Sequence, residues 1–66
     1  MLIENDFIKV DMQRTDEDFI DYTIYDLVNN EIDGGILEDN LISYEDAYIE
    51  IINIHKDIII KYFEED

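Results

Sequence analysis

The apolar residues of this 66-residue chain change their period once, and that change sets the fold class. From Phe7 to Met12 the sequence reads Phe-Ile-Lys-Val-Asp-Met, with Ile8, Val10 and Met12 on one side and Lys9 and Asp11 on the other. Ile20, Tyr22 and Ile24 alternate in the same way with Asp21, Thr23 and Tyr25. A period of two belongs to a strand with one buried face. Further on, Tyr44, Tyr48, Ile51, His55, Ile58 and Tyr62 recur at steps of four and three, the spacing that lines one face of a helix.

The segments between these runs carry turn chemistry. Gln13 to Asp18 is polar throughout and reads as a loop. Asn29-Asn30 offers a tight turn, because Asn tolerates left-handed backbone angles. Glu31 to Leu37 returns as a third strand, interrupted at Gly34-Gly35 by a bulge or strand end. Ser43 followed by Asp46 has capping-box spacing and starts the helix. Thr15 and Asp18 share that spacing, so a helix over Asp16 to Val28 is the alternative for the second run. It would scatter the apolar residues around the helix instead of gathering them into a stripe, and the strand reading is preferred. The expectation is one α+β domain over residues 1–66, a small antiparallel sheet of two or three strands packed by one long C-terminal helix.

A chain this short buries only about 60% of the surface its unfolded form exposes. It has no Cys and no zinc-type ligand cluster, so its stability rests on apolar packing or on a second copy of itself. Fourteen Ile, three Phe and five Tyr within a 47% hydrophobic composition argue for a folded chain and against a charged disordered tail. Ile49, Ile52, Ile59, Ile60 and Phe63 widen the apolar arc of the helix beyond what three strands cover, and a homodimer is expected.

Nineteen acidic residues stand against four basic ones, a formal charge of −15 and a pI near 4.1. Such a chain is repelled by nucleic acid and by anionic membrane surfaces, and it favours basic partners. The amino terminus lacks a positive region followed by an apolar run, and no stretch approaches the roughly eighteen apolar residues of a membrane span. A soluble cytoplasmic protein is expected, without direct contact to nucleic acid or membrane. Self-repulsion among the carboxylates costs stability, and its retention suggests that the charge is used.

Two acidic rows are the candidate partner-binding residues. Asp46, Glu50, Asp57 and Glu64 share the outward face of the helix, where carboxylates four residues apart rise about 6 Å. Asp16, Glu17, Asp18, Asp21 and Asp26 supply a second row from the loop and second strand, extended by Glu38 and Asp39. Tyr25 is the expected exposed aromatic anchor for Arg-rich surfaces, with most of the other Tyr in the core. The rows present charge at intervals like those of phosphates along a duplex strand. In size and composition the chain resembles the small acidic inhibitors that phages and mobile elements encode. That resemblance implies a non-enzymatic blocker of a basic nucleic-acid-binding enzyme such as a restriction, CRISPR or repair nuclease. The alternatives are an assembly module working through the Ile-rich helix face, and an antitoxin or immunity protein against a basic toxin.

Other chemistries find little support. Asn29, Glu31, Asp33 and Gly34 follow the spacing of an EF-hand calcium loop, but Asn40 stands where the bidentate Glu belongs and Leu37 takes another ligand position. His55, the one histidine, lies on the inward seam as a packed residue with no Cys or free Ser converging on it. Pairs such as Asp16 with Asp18 arise by chance among nineteen acids. No enzyme activity, cofactor or metal is expected.

Overall fold

The computed structural model describes residues 1–64 as a four-stranded antiparallel sheet with two helices laid across one face. Strands β1 (Leu2–Glu4), β2 (Ile8–Arg14), β3 (Phe19–Asp26) and β4 (Glu31–Glu38) lie side by side in chain order, followed by α1 (Tyr44–Ile54) and α2 (Lys56–Glu64). The α+β class and the antiparallel sheet match the expectation, whereas the counts differ: four strands instead of two or three, and two helices instead of one. The extra strand is β1. Its three residues are too few to show a period, and it exists through its pairing with β2, Ile3 opposite Val10.

The inner face follows from the alternation. Ile8, Val10 and Met12 of β2, Ile20, Tyr22 and Ile24 of β3, and Leu37 of β4 are buried against Ala47 and Ile51 of α1. β2 runs on through Gln13 and Arg14, which pair with Asp21 and Ile20 where a loop was expected. The Thr15 signal is used by the following turn: its Oγ1 accepts from the N–H groups of Glu17 and Phe19 at 3.3 Å. A hydroxyl that can cap a helix can equally stabilise a turn, and the paired β2 and β3 decide between them. Asn29 adopts a φ of 70° in the turn between β3 and β4.

β4 passes unbroken through both glycines. Gly35 faces Tyr22 across the ladder, and a Cβ on it would lie 2.8 Å from the Tyr22 hydroxyl. Its missing side chain makes room for the phenol. The irregularity lies instead at Ile32, the extra residue between the pairs Ile24–Asp33 and Tyr25–Glu31. Without that bulge the period of two would turn Glu31 inward beside Asp33.

The helix layer begins at Ser43, whose Oγ accepts from the Asp46 N–H at 3.1 Å, a cap that contributes about 1 kcal/mol. It bends at His55, the point at which the side chain is tied to the sheet. The Tyr22 hydroxyl donates to His55 Nε2 at 2.6 Å, and Nδ1 donates to Asp33 Oδ2 at 2.9 Å. Past the bend the inward positions shift. Ile59 packs against the core in place of Ile58, which was expected on the buried seam and is 47% exposed, while Tyr62 keeps its expected inward place through its hydroxyl on Asp26.

Candidate partner-binding surface

With both helices on one face, the other face of the sheet is open. At one end, Phe19 pairs with Glu38 and Asp21 pairs with Ile36, so two apolar and two acidic side chains form a checkerboard. Phe19 is 40% and Ile36 64% exposed. The turn after β2 brings Asp16 and Glu17 beside them, and the resulting shallow cleft of ≈ 410 Å³ is lined by Thr15, Asp16, Glu17, Phe19, Asp21 and Ile36. The Asp39 N–H donates to the Asp18 carbonyl at 2.9 Å, which binds the end of β4 to that turn. Asp18, Glu38 and Leu41 thereby share an adjoining hollow. Leu41 is almost fully exposed and holds a φ of 63°, with its N–H given to Asp39 Oδ1. A branched aliphatic residue rarely adopts that conformation unless its surroundings impose it.

No basic residue lines either hollow. An apolar patch bordered by carboxylates can take the apolar stem and the charged head of a Lys or Arg side chain. A guanidinium over the Phe19 ring gains a cation–π contribution as well.

Asp16, Glu17, Asp18, Asp21 and Glu38, expected in one row, are gathered at this end and are all exposed. Two expected members are used internally. Asp39 pairs with the Arg14 guanidinium at 2.9 Å, and its side chain is only 11% exposed. Arg14 also donates to the Ile42 carbonyl and stacks 4.4 Å over the Tyr44 ring, so this carboxylate is already neutralised. Asp26 is 9% exposed because its position in β3 faces the helices. It accepts from the Tyr62 hydroxyl at 2.6 Å, from the N–H groups of Val28 and Asn30, and from the Asn30 amide. The Tyr62 bond foremost, then the Asn30 and Val28 donors, hold its pKa down at about 2 against the opposing effect of burial. The phenol of Tyr62 is raised in turn, chiefly by that same hydrogen bond.

Tyr25 lies on the open face as expected but is half-buried, opposite Lys9 and Glu31. It sits six residues along β3 from Phe19, about 20 Å away, and is no part of the cleft. Phe19, Ile36 and Leu41 are the apolar centre that the sequence reading missed. Phe19 was recoverable, since it has the parity of Asp21 and Thr23 in the period-two run.

The helical row stands on the opposite layer. Asp46, Glu50, Asp57 and Glu64 are all exposed, but the bend at His55 separates the first pair from the second. Lys56 and Lys61 stand among the acids of α2. The two rows therefore belong to different layers of the fold, one carried by the helices and the other by the sheet and the turn after β2.

The Tyr22–His55–Asp33 chain ties the two layers together. Burial foremost, then the nearby Asp33 charge, raise the Tyr22 phenol. Among the described residues no buried side-chain nitrogen or oxygen lacks a partner. The calcium-type residues diverge: Asn29 Oδ1 accepts from Lys9 Nζ, Glu31 faces outward with Tyr25, and Asp33 faces His55. Among the described residues no group of three or more His, Asp or Glu is placed to hold a metal ion, and no helix is long and apolar enough to cross a membrane. No protein-family model, curated protein or solved structure matches the chain.

Proposed function

We propose that this protein is a non-enzymatic inhibitor that occupies the positively charged nucleic-acid-binding surface of another protein, acting in the host cytoplasm as the product of a phage or mobile element. The observation that carries the reading is the cleft at the open end of the sheet. Phe19 and Ile36 are fenced there by Asp16, Glu17, Asp21 and Glu38, with no basic residue in the lining. A surface that normally binds phosphates presents Lys and Arg side chains to neutralise them. The cleft offers such side chains charge partners together with apolar area, and a phosphate backbone offers only the first. Occupation by this protein then excludes nucleic acid through shared basic residues.

The test is capture from lysate on the immobilised protein, followed by competition of the captured protein against duplex DNA or RNA. The expected result is a basic nucleic-acid enzyme retained at low salt, released at high salt, and displaced by nucleic acid. A partner retained through high salt, or one that binds nucleic acid and this protein simultaneously, would refute the reading.

A further inference from the structure

We infer that a second copy of this chain covers the flank of α1 and α2 that the sheet leaves bare, through an antiparallel two-fold pairing of α2 with α2. The need for a cover is visible in α2 itself. Its nine residues include no buried side chain, and a helix so short is not sustained by its own hydrogen bonds. Ile49, Ile60 and Phe63 are each about half exposed, at 57%, 46% and 47%. Ile60 and Phe63 line a groove of ≈ 400 Å³ together with Phe7 and Ile52.

The groove has a fixed wall. Phe7, 65% exposed, meets Phe63 edge-on with ring centres 6.4 Å apart. Its backbone is held by Asn5, whose Oδ1 accepts from the N–H groups of Phe7 and Ile8. The Asn5 amide donates to the Tyr48 hydroxyl at 2.8 Å, which anchors this turn to α1. An apolar wall is thus held in place beside solvent.

The charges of the rim select the occupant. Lys56 and Glu64 are the charged residues lining the groove, and each lies four residues from Ile60. A two-fold axis beside Ile60 with the helices antiparallel brings Lys56 opposite Glu64 of the partner subunit, and the converse by symmetry. Ile60 then meets its own copy at the centre. A highly basic partner finds no acidic surplus on this rim, whereas two chains of charge −15 repel each other least where the local charge balances. The pairing leaves the open sheet face of each copy uncovered and stands or falls independently of the inhibitor reading.

Sedimentation of the intact chain at low and high salt tests this. The expected species has twice the 7.9 kDa chain mass, and its share grows with salt, because screening relieves repulsion and apolar contact strengthens. Ile60→Asp is expected to raise the dimer dissociation constant about 30-fold or more, with circular dichroism checking that the fold persists. Lys56→Glu weakens pairing and the exchange Lys56→Glu with Glu64→Lys restores it, and these two variants leave the apolar set intact should Ile60→Asp fail to fold. A monomer at high salt and high concentration, a dimer indifferent to Ile60→Asp, or a charge exchange as damaging as the single reversal would each overturn the proposal.

Discussion

Two of the apolar surfaces that the fold leaves uncovered differ chiefly in what surrounds them. At the open end of the sheet, Phe19 and Ile36 stand among Asp16, Glu17, Asp21 and Glu38. Along the helix flank, Ile52, Ile59, Ile60 and Phe63 stand between one Lys and one Glu. Apolar area of similar kind therefore meets two electrostatic surroundings. The first is the surface proposed for a partner rich in Lys and Arg, and its carboxylates oppose a second copy. The second tolerates a second copy and gives a basic partner no advantage. Salt separates them by sign, since screening weakens the charge-driven contact and strengthens the apolar one.

The most disruptive way to break this comparison is to remove what joins the two layers. Ile51→Ala, at a fully buried position, is expected to cost about 3 kcal/mol, a large share of the few kcal/mol that a domain of this size commands. Urea denaturation would measure it, and both surfaces should fail together. Retention of basic-partner binding without dimerisation would show that the sheet end stands without the helix layer.

Neutralising Asp16, Glu17, Asp21 and Glu38 to Asn or Gln is expected to weaken binding of the basic partner about 100-fold, while self-repulsion falls and the melting temperature rises. Neutralising Asp46, Glu50 and Asp57 should change that affinity by less than about threefold, because rim charges outside the contact contribute little. Titration calorimetry on both variants decides between the two acidic rows, and an equal loss from the helical set would transfer the site to the helices. Phe19→Ala sharpens the same contrast on the apolar side, with an expected loss of about tenfold in partner affinity and none in dimer affinity.

The smallest effect concerns the acid limb of stability. Asp26 titrates at about 2 in the folded chain against 3.8 as its ordinary value, so its contribution is complete above pH 4 and is lost as the pH falls toward 2. Comparing pH-dependent melting of the native chain with Asp26→Asn isolates it: the two curves should converge as the pH drops through that window. Curves that stay parallel would show that the Tyr62–Asp26 bond contributes nothing.

Much of the sheet was legible because its inner residues alternate without exception over Ile8–Met12 and Ile20–Ile24. Ser43 marked the start of the helix layer for an equally local reason, a hydroxyl three residues ahead of a free N–H. β1 left no such mark, since a three-residue strand is defined by its partner alone. The glycines of β4 misled for a related reason. Gly35 looks like a strand breaker in isolation, yet opposite Tyr22 it is the residue that admits the phenol. Asp26 and Asp39 were indistinguishable in sequence from the exposed acids around them. Tyr62 lies 36 positions from Asp26 and Arg14 lies 25 from Asp39, beyond the reach of any local pattern.

The sequence by itself determined the change from a two-residue to a helical period, the acidic surplus and the supply of Ile, because each is a property of composition or of near neighbours. Tertiary structure decided which carboxylates face solvent together, where the helix bends and which apolar residues remain uncovered. Those outcomes depend on side chains meeting across strands and between layers, as His55 meets Tyr22 and Asp33, and such meetings are fixed only when the whole chain has packed.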